Sequence, residues 1–355
     1  MDERSLAFLK RLLDAPGPSG FEAAPARVWR EEAAGFAKVE SDVHGNAFAT
    51  LNPTGAPRVM LTGHLDEIGV MVVHVDDEGF LHFAAVGGWD SQVLVGQRVV
   101  LEGKAGPVVG VIGKKAIHMM KPDERDKVSK ITDLWIDIGA KTKDEALQRV
   151  RVGDAGVIHG GAHEFPNGRI VSRSIDNRIG AFVALEALRR LSGTKGLTAA
   201  ATAVGTTREE ISYGGGGARS SAFALEPAAA IVVDVTHATD FPGAEKKEQG
   251  DFKLGGGVVL SRGSSVSRVV FDQLVAAAEG EKIPYAIEAA PRGTSTDADG
   301  IYDVRAGVAT ALVSVPCRYM HSPNEMVALD DLDRAADLLA AWVRRLDGST
   351  SFIPA

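Results

Sequence analysis

Leu6, Leu9, Leu12 and Leu13 recur at helical spacing near the start of the chain, predicting a helix over 4–14 that Pro16 and Gly17 end. A second amphipathic segment predicts a helix over 21–35, and strand-like runs follow at 46–51 and 58–63. The texture then changes between about 70 and 170. VMVVHV, FLHFAAV, QRVVLEG, VVGVIG and DAGVIHG are short β-type runs separated by Gly, Asp and Pro turns, the pattern of a small β-barrel or sandwich. From Ile175 onward helices and apolar strands alternate again. GAFVALEALRRL, SRVVFDQLVAAAEG and LDDLDRAADLLAAWVRRL predict helices, while LTAAATAVG, AAAIVVDV and GVATALVSVP predict strands. That alternation predicts an α/β fold, a central mixed sheet flanked by helices. The economical division is one α/β domain made of residues 1–69 and 167–355, interrupted by a β-rich insertion over 70–166. Gly214–Gly217 reads as a flexible loop.

A length of 355 residues carries an expectation of two domains, and 45% hydrophobic with 24% charged residues suits a globular protein with a large core. A net charge of -8 argues against nucleic-acid or anionic-membrane partners, which favour basic surface. Cys317 is the only cysteine, so no intramolecular disulfide forms. MDERSLAFLKRLLDAPG scatters charges among its apolar residues, unlike a signal peptide, and no apolar stretch approaches the roughly 20 residues a membrane span needs. A cytoplasmic location is expected.

Five short motifs place carboxylates and histidines where predicted strands end: GHLDEIG (63–69), SIDNRIG (174–180), TTREEIS (206–212), VVDVTHATD (232–240) and RYMHSPNE (318–325). In open α/β sheets functional groups gather at the carboxyl ends of strands, so distant motifs can converge. His64 and Asp66 are two apart and face one way on an extended chain. That suits a metal-bound imidazole oriented by a carboxylate, or a hydrogen-bonded surface pair. Glu209 and Glu210 are adjacent and point to opposite sides of an extended chain, so they divide the labour or form an exposed charged turn. Asp176 suits a helix N-cap or a ligand. Asp234 follows AAAIVV, where an unpartnered carboxylate would be costly, so a metal or an arginine is expected nearby. His321 alone suits a structural role.

Taken together, His64, Asp176, Glu210, Asp234 and His321 offer two imidazoles and three carboxylates, a borderline N/O set suited to zinc or cobalt. If Asp176 spans two divalent ions ~3.5–4 Å apart, each keeps two further ligands, and a shared water activated by Glu209 becomes the nucleophile. Cys317, in an apolar strand end, reads as an inert buried thiol.

Through these motifs, together with PGPSGFE, KPDERDKVSKITDLWIDIGA and TSTDADG (294–300), nearly the whole chain resembles the tetrahedral-type (TET) glutamyl and deblocking aminopeptidases, co-catalytic metallopeptidases. The resemblance implies a zinc-aminopeptidase-like fold. It implies two divalent ions, Zn2+ or alternatively Co2+ or Mn2+, with His64 and Asp234 on one, Glu210 and His321 on the other, and Asp176 bridging. It also implies Glu209 as general base and Asp66 as the orienter of His64. Short peptides are the implied substrates, cleaved at the N-terminus. Dimers formed through the inserted β-rich domain and assembled into a hollow tetrahedral dodecamer are the implied association. The chain departs from the family after the glutamate pair, where ISYGGGGARSS is longer and lacks the expected arginine.

MKPDERDKVSK followed by apolar DLWIDIG reads as a partner surface within the insertion, the alternative being that Leu134, Trp135 and Ile136 pack in its own core. His44, His74, His82, His159 and His163 read as structural or exposed, while His118 and His237 are candidates to line a pocket. A related di-metal deacylase or carboxypeptidase remains an alternative, as does a non-catalytic assembly protein on the same fold. Some relatives carry the label cellulase, but a glycosidase needs two carboxylates flanking the bond rather than a metal pair.

Overall fold

A computed structural model describes residues 1–212 and 215–354 of the chain. An eight-stranded mixed sheet forms the centre, in the order 38–41, 47–51, 200–206, 58–64, 229–237, 309–317, 258–263 and 285–290. Its four middle strands, Ala200–Thr206, Arg58–His64, Ala229–His237 and Ala309–Cys317, run parallel, with His64 level with Thr206 and Asp234 level with Ser314. Their carboxyl ends therefore share one edge of the sheet. Lys38–Ser41, Val258–Gly263 and Tyr285–Ala290 lie outside the predicted runs: the first is short and polar and the last half-exposed, whereas the apolar run of Val258–Gly263 is only three residues long although it is buried.

Ile175–Ser192 lies against this sheet and is buried along most of its length. Glu3–Asp14 and Leu329–Arg344 pack onto that helix, contributing Phe8, Leu9, Leu12, Leu339 and Trp342 to the core. Asp2 caps the first helix through Ser5 N at 2.7 Å. At Gly63 the strand meets the central helix so closely that an added Cβ would lie 2.2 Å from the Gly180 carbonyl carbon. Only glycine allows that approach.

Six strands, Gly69–Val75, Leu81–Val86, Trp135–Asp137, Gly106–Gly113, Arg98–Gly103 and Ala155–Ile158, close an antiparallel barrel with its own core. Here one expectation needs correcting. DLWIDIG supplies a barrel strand, and period-two alternation turns Leu134, Ile136 and Ile138 inward, leaving Trp135 half-buried. The apolar run thus fills the barrel rather than forming a partner surface. A three-stranded sheet, His163–Phe165, Arg169–Ser172 and Glu325–Ala328, follows the barrel and ties residue 163 onward to the C-terminal part.

The glycine run also differs from expectation. Gly214 lies outside the described residues, whereas Gly216 and Gly217 begin the helix Gly216–Leu225. A Cβ on Gly217 would come 2.0 Å from Asn46 Oδ1 and 2.7 Å from Thr207 N, so this glycine lets the helix dock beside the glutamate pair.

Candidate metal centre and active-site cavity

The five motifs converge at the carboxyl edge of the four parallel strands. His64 ends Arg58–His64, Asp234 lies near the end of Ala229–His237, and the glutamate pair follows Ala200–Thr206. His321 follows Ala309–Cys317. Asp176 sits in the first turn of Ile175–Ser192 with extended backbone angles (φ -78, ψ 108), and the Asp176–Asn177 peptide is cis. Its side chain is not a helix cap. Instead Oδ1 lies 3.3 Å from His64 Nε2 and Oδ2 lies 3.3 Å from His321 Nε2, so one carboxylate spans both imidazoles.

Glu209 and Glu210 separate as adjacent side chains must. Glu209 Oε2 approaches His64 Nε2 at 3.6 Å, and Glu210 Oε2 approaches His321 Nε2 at 3.4 Å. Donor atoms of His64, Asp176 and Glu210 lie within 4.8 Å of one another, and so do those of His64, Glu209 and Asp234. Arg208 and His321 both adopt positive φ, 61° and 59°. Such backbone persists where surrounding contacts hold it.

Several of those contacts belong to Asp66. Its Oδ1 lies 3.4 Å from His64 Nδ1 and its Oδ2 accepts from Ser19 Oγ at 2.5 Å. It also accepts the backbone N–H groups of Glu209 (3.1 Å) and Glu210 (3.2 Å). One carboxylate thereby orients the imidazole and fixes the turn carrying both glutamates. Glu325, quoted within a motif but assigned no role from sequence, does the same on the other side. Its Oε2 accepts from Asp176 N at 2.9 Å and its Oε1 from His321 N at 2.8 Å. Glu67 was likewise missed: it pairs with buried Arg178 at 2.7 Å and Arg173 at 2.9 Å, joining the first two motifs. Asp297, in TSTDADG, accepts from Thr206 Oγ1 at 2.6 Å. Nothing short of the fold distinguishes these acids from solvated ones.

Burial crowds these acids together. Burial first, then the charges of Asp234, Asp297 and Glu210 working against the pull of His64, pushes Glu209 up to about 10. Burial and the charge of Asp176 raise Asp234 well above the usual carboxylate range and raise Glu210 too. Burial alone would depress His321, but hydrogen bonds to Asp176 and Glu210 push it up to about 11. For Asp176, burial is outweighed by its hydrogen bonds to His321 and His64, which hold it well below the usual value.

The residues present fit a pair of divalent cations. Buried carboxylates that repel one another toward protonation need positive charge, and a cation reverses the sense of those shifts. Glu210 Oε1 is buried without a hydrogen-bond partner. Donors bound at about 2.0–2.1 Å to a tetrahedral zinc lie about 3.3 Å apart. The spacings of 3.3, 3.3 and 3.4 Å among His64, Asp176, His321 and Glu210 match.

The cluster opens on a cavity of about 1010 Å³, also lined by Gly87 and Gly88, Thr236, His237, Glu288 and Thr294–Thr296. His237 therefore lines the cavity as expected, whereas His118 is exposed and does not. His44, His74, His159 and His163 are exposed, and His82 is half-exposed. Cys317 is buried, and burial pushes its thiol up, which makes it unreactive.

A mixed α/β sheet with a barrel beside it, and imidazoles and carboxylates at the strand ends, defines the class of aminopeptidase-type metallopeptidases. The M42 glutamyl aminopeptidase family matches residues 45–338, and the chain belongs to that family. It is 31% identical to a lysyl aminopeptidase of Pyrococcus furiosus over 96% of each chain. A TET aminopeptidase from Thaumarchaeota archaeon SCGC AB-539-E09 superposes with a TM-score of 0.92 at 34% identity, over 97% of both chains. A TET1 peptidase of Pyrococcus horikoshii, which can assemble into a tetrahedron or a large octahedral shell, gives 0.84 at 30% identity over 96% and 100%. The chain is thus a peptide hydrolase of the aminopeptidase kind. Among the described residues no helix is long and apolar enough to cross a membrane.

Proposed function

We propose that this protein removes N-terminal residues from short peptides with two divalent ions, Zn2+ in preference to Co2+ or Mn2+. His64 and Asp234 would hold one ion, His321 and Glu210 the other, and Asp176 both. The observation that carries this reading is Asp176, whose two oxygens face two imidazoles at 3.3 Å each. Such ions supply Lewis acidity for the scissile carbonyl and an acidified water. Glu209, beside His64 at the cavity, takes the proton of the attacking water and returns it to the departing amine. The Asp66 carbonyl, 3.1 Å from Nδ1 of His64, accepts its proton with the Asp66 carboxylate beside it at 3.4 Å, which leaves Nε2 free to ligate. The grip of that carboxylate on the Glu209 N–H also sets where the base sits.

The test is a panel of aminoacyl-p-nitroanilides assayed with zinc, cobalt and manganese, alongside N-acylated and C-terminally directed controls, with ion content measured per subunit. Cleavage needing a free α-amine, abolished by chelation and restored by added ion, is expected. Preference for N-acylated or C-terminal substrates would favour the deacylase or carboxypeptidase reading, and full activity in a verified metal-free preparation would refute the mechanism.

Residues 70–166 act in this reading as an inserted dimerisation domain, with dimers building a tetrahedral dodecamer in the cytoplasm. The assembly of the Pyrococcus horikoshii relative supports it, as do exposed Ile117, Met119 and Val128 between barrel strands. Replacing 70–166 with a Gly/Ser linker should give a smaller folded species in light scattering. An unchanged particle size would show that another surface holds the subunits together.

A further inference from the structure

The catalytic cavity carries more negative charge than an ion pair needs. Six carboxylates line it: Asp176, Glu209, Glu210, Asp234, Glu288 and Asp299. Two divalent ions offset the first four. Asp299 is occupied as a structural clamp, accepting Thr294 N and Thr294 Oγ1 at 2.9 Å and Ser295 N at 2.8 Å. Glu288 is different. It is half-buried on Tyr285–Ala290, and among the described residues only hydroxyls donate to it: Thr236 Oγ1 at 2.7 Å on Oε1 and Ser261 Oγ at 3.3 Å on Oε2. An ionised carboxylate has about four acceptor sites, so two hydroxyls leave it room for a strong donor.

Among the described residues no lysine or arginine lines the cavity, and the hydrogen bonds of Glu288 come from Thr236 and Ser261 alone. Arg262, adjacent to Ser261 and therefore on the other face of its strand, lies over the Phe271 ring at 5.7 Å instead. The position of Glu288 relative to the ion cluster follows from the strand. Thr236, its 2.7 Å partner, is two residues beyond Asp234 on the same face, about 7 Å along the chain. That offset along the strand is comparable to the reach of an extended lysyl or arginyl side chain.

We infer that the cavity selects peptides whose N-terminal residue is basic, with Glu288 receiving the side-chain ammonium or guanidinium. The inference rests on the aminopeptidase reading and deepens it. The names of relatives do not decide the matter, since the family is called glutamyl and the Pyrococcus furiosus protein lysyl. Chemistry does: a glutamyl side chain would meet Glu288 with no lysine or arginine among the described lining residues to receive it, whereas a lysyl ammonium gains a charge-assisted bond.

Norleucine matches the lysine side chain in shape but lacks its charge, so the pair isolates the effect of Glu288. The ion-loaded protein is assayed on lysyl-, norleucyl- and glutamyl-p-nitroanilides, and binding of lysine amide and norleucine amide is measured by calorimetry. For a half-exposed carboxylate we expect lysyl over norleucyl by on the order of tenfold in kcat/KM and in affinity, with glutamyl poorest. Glu288→Gln should bring the lysyl-to-norleucyl ratio close to one, mainly through KM. Equal affinity of the wild-type protein for the two amides, or a ratio that survives in Glu288→Gln, would overturn the inference. The amide comparison needs no turnover, so it stands apart from the aminopeptidase reading, which fails only if no aminoacyl substrate is cleaved.

Discussion

Glu325→Ala strips the acceptor from two backbone N–H groups at once, those of Asp176 and His321, which otherwise lie 2.9 and 2.8 Å from its oxygens. Hydrogen bonds to a charged acceptor contribute about 1.5–3 kcal/mol each, and an unsatisfied buried donor costs a similar amount. Asp176 is buried, so its N–H stays unsatisfied, whereas the bond from His321 N is only partly buried, so losing it costs less. Part of the loss is recovered because Glu325 is itself buried beside the Asp176 charge, which pushes it well above the usual carboxylate range. A net loss of about 2–4 kcal/mol follows, divided between stability and the placing of two ligands. Outer residues of this kind usually carry about 10–100-fold in ion affinity or activity. A matched control exists in Asp331, a buried carboxylate that accepts from Gly255 N at 2.6 Å and Gly257 N at 2.9 Å and bonds to no member of the ion cluster. Thermal unfolding and chelator competition on both variants separate the effects. Both Ala variants should lose stability, but only Glu325→Ala should lose ion affinity. Equal affinities in Glu325→Ala and the wild-type protein would refute the idea that Glu325 positions the site.

Glu209→Gln should retain its ions while kcat falls about 10²–10⁴-fold, and Glu210→Ala should lose ion occupancy; metal analysis showing the reverse would mean the two roles are exchanged. In the ion-free protein the raised values of His64, His321, Glu210 and Asp234 mean that ligands must shed protons to bind, and Glu209 beside them is raised too. Apparent zinc affinity should therefore rise from pH 6 to 8 with proton release visible by calorimetry in different buffers, and a flat profile would contradict it. The same groups hold more protons folded than unfolded, His321 between its ordinary 6.5 and about 11 and Glu209 between 4.5 and about 10. Stability of the ion-free protein should consequently fall from pH 7 to 10, and more steeply than that of the ion-loaded protein in thermal melts. Gly63→Ala drives a Cβ into helix backbone that no side-chain rotation can clear, so a loss of about 3 kcal/mol or more and weakened ion binding are expected in unfolding and chelator-competition measurements.

Sequence alone determined what is local. Leucine spacing set the first helix, long apolar runs marked the buried parallel strands, and five motifs at strand ends named His64, Asp176, Glu210, Asp234, His321, Glu209 and Asp66. Those signals are readable because strand and helix periods, and the cost of an unpartnered carboxylate after an apolar run, are properties of neighbours in the chain. Only the tertiary structure decided the rest. That Asp176 faces two imidazoles rather than capping a helix depends on residues 112 and 145 positions away in the chain. DLWIDIG turned inward because five other strands closed around it, and a run of seven residues carries no record of its neighbours. Glu325, Glu67 and Glu288 look like ordinary surface acids in the sequence. Their roles arise from hydrogen bonds and ion pairs to partners up to 149 residues distant, which only the packed sheet and its central helix bring within reach.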